Sequence, residues 1–207
     1  MKLYQLLNRN SVLFLTAVLV FAMFAACGDD KEILHYSPTQ HIAESEKLVM
    51  PAVIELPSNL PNGNTRVATF FAEGVQKYKA RQKAGSDPAV FEWVFVAPAA
   101  ALYDATNVKV GTHSAGPTWQ LSGSTSDSIY AQQFSPARTA TSPDQSIDWL
   151  LLMPKIGKTP TGFFADVSYI QRIATKGGKA PATAPMNASD TIDVYYTAVY
   201  RFTKKNQ

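Results

Sequence analysis

Thr112-His113-Ser114-Ala115-Gly116 is the segment whose residue types come nearest to a catalytic pattern. It lies one residue away from Gly-x-Ser-x-Gly, the strained strand-to-helix turn that exposes a serine nucleophile. Thr112 stands where the first glycine belongs, and Pro117-Thr118-Trp119 continues as loop or strand rather than helix, so no catalytic residue is assigned. Gly111 and Gly116 have the spacing of a phosphate-cradling loop. Pro117, however, has no N–H and stands where that loop needs lysine. No Gly-x-Gly-x-x-Gly occurs, which removes the dinucleotide fingerprint.

Metal chemistry is equally unpromising. The chain has one cysteine and three histidines, and two of these, His35 and His41, lie in a polar stretch that does not hold ligands in place. No metal and no cofactor are therefore expected. Four candidate binding residues remain: His113, Trp119, Gln171 and Arg172. His113 sits two positions after a glycine, where a strand gives way to a turn, and loops on a rigid scaffold carry binding groups. Gln171 and Arg172 are neighbours in an alternating run, so one of them is expected to point inward, where a polar group needs a partner. Trp93, Trp119 and Trp149 serve equally well as core.

The elements that must position these residues read as strands. From Arg66 onward, β-branched and aromatic runs alternate with turn chemistry at intervals of about ten residues. Val67–Phe71 leads through Gly74 into Val75–Tyr78, and Phe91–Val96 places Phe91, Trp93 and Phe95 on one face. Asp104-Ala105-Thr106-Asn107 predicts a hairpin between Ala101–Tyr103 and Val108–Val110. Further strands are predicted near Thr118–Leu121, Ser128–Phe134, Ile147–Met153, Val167–Thr175 and Asp193–Phe202. In the last, Tyr196, Ala198, Tyr200 and Phe202 alternate against Tyr195, Thr197, Val199 and Arg201. No window after Met50 gives an amphipathic helix. The expectation is an all-β domain over 51–207, a single β-sandwich or β-barrel of about eight or nine short, mainly antiparallel strands. Lys176-Gly177-Gly178-Lys179-Ala180-Pro181 reads as a mobile basic loop flanking a cleft or simply connecting strands.

The order of motifs in this domain resembles the secreted-protein family called domain of unknown function 3455 (DUF3455). The resemblance runs from about Leu56 to Phe202. It rests on Gly74-Val75-Gln76-Lys77-Tyr78, Trp93-Val94-Phe95, Val110-Gly111-Thr112-His113 and Ala115-Gly116-Pro117-Thr118-Trp119. Later matches are Trp149-Leu150-Leu151-Leu152, Tyr169-Ile170-Gln171-Arg172, Thr175-Lys176-Gly177-Gly178-Lys179-Ala180-Pro181 and Tyr196-Thr197-Ala198-Val199-Tyr200. The resemblance implies an envelope or secreted protein and no particular activity. Relatives often carry two cysteines that could pair, but the corresponding stretches here, Lys79-Ala80 and Pro185-Met186-Asn187, have none. Ser114 stands where relatives usually have an aromatic residue, which speaks against a shared serine nucleophile. Asp148 stands where they usually have proline.

The N-terminus predicts export. Lys2 and Arg9 precede an uncharged run from Ser11 to Phe24, and Ala25-Ala26 precede Cys27, the sole cysteine. That run, about 14 residues, is short of the roughly 20 that span a bilayer. Phe24-Ala25-Ala26-Cys27 resembles a lipobox, so residues 1–26 are expected to be a signal peptide and Cys27 the lipidated first residue of the mature protein. Two or more acyl chains, palmitate among them, would hold it to a membrane stably. Residues 27–50 read as a polar tether or a loosely docked arm, with His35 and His41 incidental. Gly28-Asp29-Asp30-Lys31-Glu32 resembles a surface-export signal, which leaves open whether the protein sits on the periplasmic face or the cell surface of an outer membrane. Removing residues 1–26 takes away Lys2 and Arg9 and no acid, so 19 basic residues against 16 acidic fall to 17 against 16. That balance gives no electrostatic case for nucleic acid.

The expected function is a lipid-anchored envelope protein whose domain binds a small molecule, a glycan or an envelope partner without catalysis. Two alternatives stay open. One is a hydrolase-like enzyme using His113 with an acidic partner, and the other is a purely structural surface protein.

Overall fold

The structure, a computed structural model, describes residues 37–86, 90–123, 126–143 and 146–207. The expected signal peptide and Cys27 lie outside the described residues. Eight strands follow in order: β1 (Asn64–Gln82), β2 (Phe91–Tyr103), β3 (Lys109–Ser114), β4 (Thr118–Leu121), β5 (Ser128–Ala140), β6 (Trp149–Pro154), β7 (Tyr169–Gly177) and β8 (Thr191–Lys205). Each pairs antiparallel with the next, and β8 returns to β1 along a ladder from Asn64↔Lys205 to Lys79↔Thr191, closing an up-and-down barrel. Closure gives every strand two neighbours, and only the Phe91–Ala99 half of β2 pairs with β1 alone, because the β2–β3 ladder covers Ala100–Tyr103.

Inside and outside follow the two-residue period. Phe70 and Ala72 of β1, Ala100 and Leu102 of β2, and Tyr196, Ala198, Tyr200 and Phe202 of β8 face the interior core. The alternation expected of the last strand is therefore the one that builds the barrel wall. The expected hairpin at Asp104 also forms, with its carboxylate accepting from the N–H groups of Thr106 (2.8 Å) and Val108 (3.0 Å).

The strands are longer than the sequence suggested. Val67–Phe71 and Val75–Tyr78 are one strand, because Gly74 is not a break. A Cβ there would collide with the carbonyl oxygen of Ala99, so glycine marks a place where two backbones come unusually close. Phe91–Val96 and Ala101–Tyr103 likewise join into β2.

The stretch before the barrel is not a free spacer from Ser37 onward. Pro38–Ser45 forms a helix, α1, with a Ser37 capping box and proline at its start. The helix and the following 3-10 turn (Ala52–Ile54) dock on the outside of the barrel. Ile42 and Ile54 pack there against Phe71, Trp149, Leu151, Tyr169, Ile173 and Val199, making a second apolar core. Barrel side chains satisfy the arm's carbonyls: Arg138 donates to Val53 (2.8 Å) and Glu55 (2.9 Å), and Arg201 donates to Ser45 (2.8 Å). His41, expected to be incidental, stacks on Phe71 at 4.3 Å and 6°. Eight residues are too few for a hydrophobic period to show clearly, so the docking surface, not the segment itself, decides this helix.

Strand alternation sends the turns to two ends. Turns β2–β3, β4–β5 and β6–β7 gather at one end, and β1–β2, β3–β4, β5–β6 and β7–β8 at the other. The first end is plugged by aromatic rings. Phe164, on the 3-10 turn Gly162–Phe164, packs at 5.0 Å from Phe202, which lies 5.7 Å from Phe70. The opposite end is not filled in this way, and the polar residues collect there.

Candidate functional site

A cavity of about 260 Å3 occupies the unplugged end. Phe95, Trp119, Leu150 and Leu152 supply apolar wall, and Gln76, His113, Arg172 and Tyr200 supply polar groups. Phe95 and Val96, 50% and 51% exposed, form its rim with the Gly116-Pro117 turn.

His113 is placed by register: on β3 it stands opposite Ala100 of β2 and Trp119 of β4. Its ring stacks on the Trp119 indole at 4.4 Å and 8°, and the Tyr200 ring meets His113 edge-on at 5.0 Å. Nδ1 lies 2.9 Å from the Thr118 carbonyl oxygen. A carbonyl only accepts, so Nδ1 carries the hydrogen and Nε2 presents a lone pair. Thr118 is itself pinned, its hydroxyl donating to the Ala115 carbonyl at 2.8 Å across a turn in which Gly116 has φ 124°. Burial pushes the His113 pKa down to about 4; the Thr118 carbonyl opposes this and the Arg172 charge adds to it. The imidazole is neutral at neutral pH.

Arg172 on β7 stands opposite Leu150 and Tyr200. Its Nε and Nη2 donate to the Asp148 carbonyl oxygen at 3.0 and 2.8 Å. The carbonyl orients the guanidinium but does not neutralise it, and among the described residues none that lines the cavity is Asp or Glu. Around it lie donors without partners among the described residues: Gln76 Nε2, Trp119 Nε1 and the hydroxyls of Tyr196 and Tyr200. Burial raises the Tyr200 phenol and the adjacent Arg172 charge pulls it down; the Tyr196 phenol is raised by burial and by Tyr200. The two hydroxyls neighbour one another beside the Arg172 charge.

Three of the four residues singled out from sequence, His113, Trp119 and Arg172, therefore line one cavity. Gln171 does not. Neighbours on a strand face opposite ways, so Gln171 points out of the barrel and donates to the Ile54 carbonyl at 2.8 Å beneath the docked arm. Trp149 also faces the outer core, and Trp93 donates to the Thr183 carbonyl at 2.9 Å. That bond ties down the β7–β8 connection, as does the Tyr78 hydroxyl donating to Gly178 at 2.7 Å. The expected basic loop is thus partly strand β7 and partly an anchored rim.

Sequence reasoning missed Gln76 and Tyr200. Their signal was parity: Gln76 falls in step with Phe70 and Ala72, as a polar residue on an inward row. Among the described residues no carboxylate hydrogen-bonds His113, and its low pKa makes it a weak base. Groups of three or more metal-capable side chains are absent among the described residues.

Comparison with known proteins adds one match. The profile of a family described as a protein of unknown function (DUF3455) matches residues 61–204. The chain belongs to that family. The match spans all eight strands of this DUF3455 barrel almost to the end of β8, and it includes every cavity residue named above. It begins after the docked arm, which ends near Leu56. No curated protein and no solved structure matches.

Proposed function

We propose that this DUF3455 barrel is a non-catalytic module that binds one small organic molecule in the cavity at its unplugged end. The observation that carries this reading is the cluster of buried donors without partners beside an apolar wall. A buried donor left unmade costs about 1–3 kcal/mol, so a row of them is stable only where a ligand or water completes it. The volume favours a compact molecule over a glycan chain. Eight strands enclose room for side chains or for one small ligand. Lipidation at Cys27 would carry the barrel on an outer membrane, with the segment before Ser37 as the remaining tether.

Two experiments test this reading. In the first, calorimetric titration of the full chain with a panel of single-ring compounds is expected to give saturable binding. Leu150→Trp, which fills the cavity, is expected to abolish that binding; binding that persists in a folded Leu150→Trp protein would place the site elsewhere. In the second, metabolic labelling with palmitate is expected to mark the chain and to fail in Cys27→Ser. Equal label in both would remove the anchor.

A further inference from the structure

The polarity of the cavity narrows its ligand further than its size does. A guanidinium carries five N–H donors, of which two bonds go to Asp148, leaving three. Gln76 Nε2 and the Tyr200 hydroxyl add donors that have no partner among the described residues. Against these, the acceptors are His113 Nε2 and the side-chain amide oxygens of Gln76 and Gln133, and no carboxylate lines the cavity among the described residues. The site thus holds one cation without a salt-bridge partner among the described residues, and its acceptors are neutral. A carboxylate is the complementary group: ionised, it only accepts, and it offers two oxygens to the fork of an arginine. Size sets the rest. A dry cavity of about 150 Å3 holds benzene. The 260 Å3 here accommodates a six-membered ring with a short substituent. The stacked His113–Trp119 pair and the Leu150 side chain offer flat and apolar surface for such a ring.

We infer that the ligand is a small ring-bearing carboxylate, its acid group on Arg172 with Gln76 and Tyr200 as further donors, and its ring against Trp119 and Leu150. This rests on the binding role proposed above and specifies its chemistry. The test uses benzoate and its neutral counterpart benzamide as probes, titrated calorimetrically into the full chain. Benzoate is expected to bind more than about tenfold more tightly, since its bonds to arginine are charge-assisted. Arg172→Gln is expected to remove that preference, and Arg172→Lys, which keeps the charge but not the fork, to retain part of it. If Arg172→Gln does not fold, the wild-type ratio and the lysine variant decide. Equal affinity for both probes overturns the carboxylate assignment and leaves a neutral-ligand cavity, so the binding role survives. Failure of both probes to bind overturns the assignment and counts against the binding role as well.

Discussion

Acidification from neutrality should cost this barrel stability through one buried ring. In the unfolded chain His113 titrates near its ordinary 6.5, whereas in the barrel burial holds it at about 4. The folded value is the lower one, so the unfolded state takes up the proton first. The contribution is fully present above about pH 6.5 and is lost as pH falls toward 4. A tenfold change in proton affinity corresponds to about 1.4 kcal/mol, which bounds the full effect near 3 kcal/mol. Between about pH 7 and about pH 5 the portion lost is roughly 2 kcal/mol. Urea denaturation of the wild type and of His113→Gln at these two pH values isolates it, because the glutamine does not titrate. His41, also lowered by burial against Phe71, contributes to both proteins and cancels in the difference. The wild type should lose about 2 kcal/mol more than the variant over this interval. Equal losses, or a His113 ring that titrates near 6.5 by NMR, would refute the assignment of a neutral, buried imidazole.

Other perturbations separate the two cores. Gln171→Leu keeps volume but orphans the Ile54 carbonyl under the arm, and should cost about 1–3 kcal/mol in denaturant midpoint analysis. Phe164→Ala opens the plug beside Phe202 and should cost about 3–5 kcal/mol. Gly74→Ala must push β1 from the Ala99 carbonyl, with an expected cost of about 1–3 kcal/mol and faster amide exchange along the β1–β2 ladder.

Much of the wall was legible because strand alternation is a local property. Tyr196 to Phe202 could be assigned to one face from the sequence, and so could the opposition of Gln171 and Arg172. Which of those two faced inward was not legible, since both faces of β7 are buried. Ile170 packs inside and Ile173 outside under the arm. A strand covered on both sides loses the polar row that would distinguish them. The same cause hid α1, whose partner surface comes largely from strands about a hundred residues or more later in the chain.

The sequence alone determined a run of short, mainly antiparallel strands and a nearly even balance of 19 basic against 16 acidic residues. Those conclusions need only residue type and short spacing. Only the tertiary structure decided that the sheet closes on itself, that one end is plugged, and that His113, Trp119, Arg172, Gln76 and Tyr200 share a cavity at the other. These residues come from β1, β3, β4, β7 and β8, and closure between β1 and β8 is what brings the first and last of them together. Barrel closure is a long-range pairing, set by how all eight strands twist and stagger together, and no local stretch of sequence carries it.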